Sequence, residues 1–192
     1  MSHIEQVKVW DPLVRIFHWT LALSFMVAFI TEDEFMNLHS FAGYTVGCLV
    51  LFRVVWGVIG TRYARFTNFV YSRTTIINYL KDILAFRPKH YLGHNPAGGA
   101  MVIALLLSLT GTVVTGISLY GASEYSGPLA QFWAGSSHFT GKVLEGMHEF
   151  FANATMLLVV AHLVGVALAS FQHGENLVRS MVTGKKETVH ED

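Results

Sequence analysis

Cysteine is almost missing from this chain. The single thiol, Cys48, sits inside an apolar run. One cysteine excludes a disulfide framework, a cysteine-built zinc site and the C-x-x-C-H attachment of c-type haem. Charge is scarce as well: Asp, Glu, Lys and Arg make up 14% of the 192 residues, against about 25% in soluble domains. The 13 basic residues balance the 13 acidic ones, so no net field points to nucleic acid as a partner. With 52% hydrophobic residues, the charge deficit points instead to an integral membrane protein. Internal repeats and low-complexity tracts are absent. Histidine is what the chain has in excess, with ten.

Four stretches, near 14–32, 38–60, 97–120 and 146–171, are long and apolar enough to span a bilayer, which takes about 20 residues. Lipid offers backbone amides no water partners, so these stretches must be helices. The first is close to full span length, mixes Glu5, Lys8 and Asp11 ahead of it, and lacks a small-x-small cleavage pattern after it. It therefore reads as a span and not as a cleaved signal. Basic residues collect in the N-terminal arm (Lys8, Arg15), the 61–96 connection (Arg62, Arg65, Arg73, Lys81, Arg87, Lys89) and the tail (Arg179, Lys185, Lys186). The other two connections hold Lys142 against Glu32, Asp33, Glu34, Glu124 and Glu145. By the positive-inside rule both termini and the 61–96 segment are cytoplasmic. The expected fold is all-α: an integral membrane four-helix bundle, one domain over 1–192, with a flexible tail at 180–192. Within 61–96, residues 74–86 place Ile76, Ile77, Leu80, Ile83 and Leu84 on one helical face. That amphipathic helix lies on the membrane surface or packs against the bundle ends. The 121–141 connection, rich in Gly, Ser and aromatics, reads as an interfacial cap or a docking surface.

Four histidines fall in the spans: His18, His39, His148 and His162. An ionisable ring in lipid is costly, so each raises a functional question. His148 and His162 lie on one helix. Fourteen residues at about 1.5 Å each separate them by roughly 21 Å along the axis, and about 100° per residue leaves them only some 40° apart around it. With the derived topology, His39 and His148 are level near the outer surface, and His18 and His162 are level near the inner one. In each pair the partners come from different helices. A bis-imidazole pair across a bundle is how a protein holds a b-type haem. Gly43 and Gly47 follow His39 at i+4 and i+8, and Ala152 and Thr155 follow His148. Small residues let a flat macrocycle lie against backbone, although Gly43-x-x-x-Gly47 is also a helix-packing pattern. Zinc prefers tetrahedral sites with acidic or cysteine co-ligands, which the spans lack. Arg15, on the face of His18, and Arg53, well inside the second span, are candidates for haem propionates, with snorkelling to the interface as the alternative for Arg53. His94, in GHNPAGG, either caps the third span, bonds a propionate or relays a proton to a quinone. Asn95-Pro96 beside it fits a helix start.

The segments VWDPLVRIFHW (9–19), LHSFAGYTVG (38–47), FRVVWGVIG (52–60), GHNPAGGAM (93–101) and HEFFANATMLLVVAH (148–162) together resemble the bacterial di-haem cytochrome b561 family, which includes the cytochrome b subunits of membrane nickel-iron hydrogenases and formate dehydrogenases. The family's haem ligands map onto His18, His39, His148 and His162. The resemblance implies a multi-pass protein of the bacterial inner membrane. It implies two haems b, a quinone as exchangeable substrate, and a periplasmic redox partner such as a hydrogenase or a cytochrome c. On this reading the chain is an electron-transfer subunit. Some relatives of similar size imply an alternative, a stand-alone quinone-reducing oxidoreductase such as a superoxide oxidase. The acidic outer connections argue against attracting an anion there.

Overall fold

The computed structural model describes residues 3–32 and 34–190. Four of its helices are long and apolar enough to cross a membrane: α1 (Pro12–Ile30), α2 (Met36–Ile59), α4 (Pro96–Ser123) and α5 (His138–His173). Two shorter helices, α3 (Arg73–Leu84) and α6 (Leu177–Thr183), and a strand pair, β1 (His3–Lys8) with β2 (Lys185–His190), complete the described elements of regular structure apart from one 3-10 turn at Phe66–Asn68.

Local chemistry sets the helix ends. Pro12 opens α1 with its missing N–H where none is needed, and Asp11 Oδ1 accepts from the Val14 amide at 3.0 Å. The same device opens α4: Pro96 is its first residue, and Asn95 Oδ1 accepts from the Gly98 amide at 2.7 Å. Ser72, Ser137 and Asn176 cap α3, α5 and α6 in the same way. Gly174 (φ +63°) and Gly184 (φ +82°) end α5 and α6 in the left-handed region that glycine enters freely.

Chain contacts gather into two compact units, where the sequence suggests one domain. One comprises the chain up to Trp19, Phe52–Ile103 and the chain from Val160 on; the other comprises Thr20–Leu51 and Ala104–Val159. In the first, Val9, Trp10, Val14 and Ala64 form a small core, flanked by Trp56, Tyr63 and Met181. Asp11 ties it together, accepting from Thr61 Oγ1 at 2.6 Å and Trp56 Nε1 at 3.3 Å. Tyr79 is the buried residue of α3, whereas Ile77, Leu80 and Leu84 are exposed. Of the apolar stripe expected on α3, Ile76 and Ile83 are half-buried and the other three are left uncovered by the chain. In the second unit α4 meets α5 through a buried hydrogen bond between Ser108 Oγ and Thr155 Oγ1 at 2.8 Å. Leu23, Ile30, Leu107 and Leu157 stay largely exposed on the long helices, as side chains solvated by lipid would be.

The expected all-helical fold holds, with one addition: β1 pairs antiparallel with β2 from His3↔His190 to Lys8↔Lys185. Two expected bounds differ. The tail at 180–192 is accordingly structured through residue 190, with α6 running to Thr183 and β2 following; residues 191–192 lie outside the described residues. Strand pairing between segments at opposite ends of a chain leaves no local signal in either. The fourth long helix starts at His138, eight residues before the expected 146, because Gly141, Lys142 and Glu145 dilute its hydropathy without breaking the helix.

Candidate functional site

Within the Thr20–Leu51 and Ala104–Val159 unit, His39 of α2 and His148 of α5 face each other with ring centroids 6.0 Å apart and planes at 81°. Each Nδ1 is 2.9 Å from a backbone carbonyl on another helix, His39 on Ala28 O of α1 and His148 on Thr112 O of α4. A carbonyl can only accept, so both Nδ1 atoms carry the proton and both Nε2 atoms keep a lone pair. That orientation by an outer carbonyl is the habit of metal-ligating histidines. Two imidazole–metal bonds of about 2.0 Å, plus about 1.15 Å from each nitrogen to its ring centre, put centroids about 6.3 Å apart.

In the other unit, His18 of α1 and His162 of α5 have centroids 6.4 Å apart and planes at 58°. His18 Nδ1 is buried with no hydrogen-bond partner among the described residues. No group of three or more His, Cys, Asp or Glu side chains gathers anywhere among the described residues. Two imidazoles and nothing further suit a metal whose remaining ligands come from a macrocycle, which is how haem iron is held.

Space for such a plate exists beside the His39–His148 pair. A cavity there is lined by both rings and by Phe25, Phe29, Gly43 and Ala152. A Cβ on Gly43 would meet nothing within 4 Å, whereas one on Gly116 would stand 2.8 Å from His148 Cε1. Gly47 belongs to a different contact: a Cβ on it would lie 3.0 Å from Val113 Cγ1 of α4. Of the two glycines expected beside the macrocycle, Gly43 lines the cavity and Gly47 packs helix on helix. One further turn carries Gly47 past the cavity. Ala152 is a lining residue, while Thr155, fully buried, is spent on Ser108 and the Phe151 carbonyl.

The residues expected near the second pair are placed as follows. Arg15 donates from Nη1 to Thr183 O at 2.8 Å, at the carbonyl end of α6, while its buried Nε has no partner among the described residues. Arg53 is 3% exposed, with Phe66 and Phe69 rings 5.0 and 5.6 Å from its guanidinium carbon and no partner at Nη1 among the described residues. It therefore does not snorkel. His94 is not the cap of α4, since Asn95 does that. Its ring packs against Trp10 at 4.7 Å and Phe69 at 4.5 Å, and its buried Nδ1 has no partner among the described residues although the residue keeps some exposure. Burial, helped by Arg53, Lys186 and His162, pushes its pKa down to about 3, so it is neutral at pH 7.

Several contributors escape the sequence. The carbonyls of Ala28 and Thr112 have no side-chain signature. Gly116 is visible as a glycine in an apolar run, but only the structure puts it under His148. Asp11 binds partners 45 and 50 residues away. Burial would push its carboxyl up, yet hydrogen bonds from Thr61, Val14, Trp56 and Leu13 outweigh this and hold it below its ordinary value.

A family model described as prokaryotic cytochrome b561 matches residues 9–184. The curated relatives include the "Probable Ni/Fe-hydrogenase B-type cytochrome subunit" of Bradyrhizobium diazoefficiens, 24% identical over 94% of this chain and 86% of that protein. The protein of the same name from Rhodobacter capsulatus is 22% identical over 94% of this chain and 81% of its own length. The "Probable Ni/Fe-hydrogenase 1 B-type cytochrome subunit" of Escherichia coli K12 is 24% identical over 92% and 88%. No solved structure matches. The family match over nearly the whole chain, with four apolar helices and histidines paired at metal-spanning distance, makes this a multi-pass membrane cytochrome: the chain belongs to the prokaryotic cytochrome b561 family, whose members carry haem b and transfer electrons.

Proposed function

We propose that the chain is a di-haem conduit of the bacterial inner membrane, moving electrons between a periplasmic redox partner and the quinone pool. Two cross-helix histidine pairs, at 6.0 and 6.4 Å, carry this reading. His39 and His148 would hold the outer haem, and His18 and His162 the inner one. When bound, each haem supplies a one-electron carrier. One imidazole from each of two helices would hold each iron, and the Ala28 and Thr112 carbonyls fix the tautomers of His39 and His148. Basic residues in the N-terminal arm, the 61–96 segment and the tail support cytoplasmic termini. The exposed Ile77–Leu80–Leu84 face of α3 then lies on the inner membrane surface. The relatives' names make a nickel-iron hydrogenase the favoured electron donor.

The test is a dithionite-reduced minus oxidised spectrum with a pyridine haemochrome count, on the parent and on His148→Ala. Two b haems per chain in the parent and one in the variant are expected. An unchanged haem count in the variant refutes the pairing, and a parent with no haem refutes the function.

A further inference from the structure

The two sides of α3 differ in what covers them. At about 100° per residue, Arg73, Ile77, Leu80, Lys81 and Leu84 fall within an arc of about 100°. All five are exposed, Leu84 at 80%. Ile76, Tyr79 and Ile83, further round the helix, are buried or half-buried against the chain. That covered side is held in place. The Tyr79 ring packs on Tyr91 at 5.6 Å, and Gln172, near the end of α5, donates to the Ile83 carbonyl at 2.9 Å. An apolar strip bordered by two cations is thus fastened beside the end of a membrane-spanning helix.

The helix ends on a strained aromatic residue. Phe86 has φ +55° and is 70% exposed, and the Arg87 amide donates to the Asp82 carbonyl at 3.0 Å. Glycine usually takes that left-handed position, because a Cβ is strained there. A ring kept there in spite of the strain gains its contact at a lipid–water boundary, where aromatic residues anchor. Arg87 and Lys89 follow it, both exposed. Among the described residues, Arg73, Lys81, Arg87 and Lys89 form no ion pair. The one acid of α3, Asp82, lies on the opposite side of the helix from Arg73.

An apolar strip edged by unpaired cations matches an anionic phospholipid in both of its parts. Acyl chains cover Ile77, Leu80, Leu84 and Phe86, and the phosphates meet the cations. A nucleic acid would leave the apolar strip in water. We infer that α3 and the residues after it form a binding surface for anionic phospholipid, on which Arg73, Lys81, Arg87 and Lys89 select an anionic headgroup over a zwitterionic one. This rests on the placement of α3 at the membrane surface and adds the chemistry of the lipid to it.

The test uses the full haem-loaded chain in bilayers. Cys48→Ala removes the native thiol, and Leu84→Cys receives a thiol-reactive fluorophore. Spin-labelled phosphatidylglycerol or spin-labelled phosphatidylcholine is then added as quencher to bilayers of otherwise identical composition. Both should quench, the anionic lipid at about fivefold lower concentration or less, which is what one cation at an anionic surface contributes. Changing Arg73, Lys81, Arg87 and Lys89 together to Gln should abolish the difference while phosphatidylcholine still quenches. Arg73→Lys with Arg87→Lys should preserve it. Inorganic phosphate should weaken the preference no more than chloride at equal ionic strength. Equal quenching by both lipids in the parent overturns the inference and leaves α3 on the membrane. So does a preference that survives the four Gln substitutions, or one that phosphate abolishes where chloride does not, which would make the site one for a free anion. No quenching by either lipid removes the surface placement itself.

Discussion

Replacing Asp11 probes how the start of α1 is fastened to the end of α2. Oδ1 caps α1 through the Val14 amide at 3.0 Å, and Oδ2 accepts from Thr61 at 2.6 Å and Trp56 at 3.3 Å. Losing the cap costs about 1 kcal/mol. The short bond from Thr61 to a charged acceptor is worth about 1.5–3 kcal/mol, and the longer one from Trp56 about 0.5. Because the three donors share one carboxylate, Asp11→Ala should cost about 3–4 kcal/mol in total. Asp11→Asn keeps the cap oxygen but turns an NH2 toward the Trp56 N–H, and should cost about half as much. At roughly 2–4 °C per kcal/mol for a chain of this size, the alanine variant should melt about 6–16 °C lower. Circular dichroism of the purified protein in detergent measures this. The carboxyl's folded pKa lies below its ordinary value, so its contribution is present above about pH 3.9 and disappears as pH falls through the folded value. The gap between parent and variant should therefore close in that acidic window. An alanine variant melting within 2 °C of the parent, or less stable with asparagine than with alanine, refutes the network.

Three other outcomes follow from the packing. Gly43→Ala should keep full haem content, whereas Gly43→Leu should fill the cavity and lose the outer haem selectively; equal haem content in both shows that the cavity is not the macrocycle's place. Gly116→Val should displace the His148 ring, which a Cβ would approach to 2.8 Å, and the reduced spectrum should show one haem or a high-spin outer site. Thr155→Val, isosteric but unable to bond Ser108, should cost about 1 kcal/mol in a thermal melt and leave the haem count unchanged.

The four spans are legible because lipid imposes a composition that no other environment requires, and the histidine pairs are legible because helix rise and rotation convert sequence spacing into depth and facing. His39 with His148 and His18 with His162 follow from that arithmetic and stand together in the structure. What the arithmetic misses is contact identity. Gly43 and Gly47 look equivalent at a four-residue spacing, yet one faces a cavity and the other Val113. Arg53 is conspicuous as a charge in an apolar run, but its ring neighbours, Phe66 and Phe69, come from the Phe66–Asn68 turn and the residue after it, beyond the end of α2. Asp11 looks like an ordinary residue ahead of a span, because Trp56 and Thr61 are far along the chain. The amphipathic start of α5 falls below any hydropathy threshold, although Ser137 caps it plainly enough.

The pairing of β1 with β2 fixes something about the membrane that charge counting reaches only statistically. Two strands bonded edge to edge must occupy the same aqueous compartment. The polypeptide between Lys8 and Lys185 therefore leaves that compartment and returns to it a whole number of times, and its crossings have even parity. Four long apolar helices satisfy that condition, and three or five would not. Reporters attached beyond either strand must agree on compartment, whichever one it is. A short linker joining the strands would close the backbone into a ring, which would then be opened in the connection between α4 and α5 with every span kept in order.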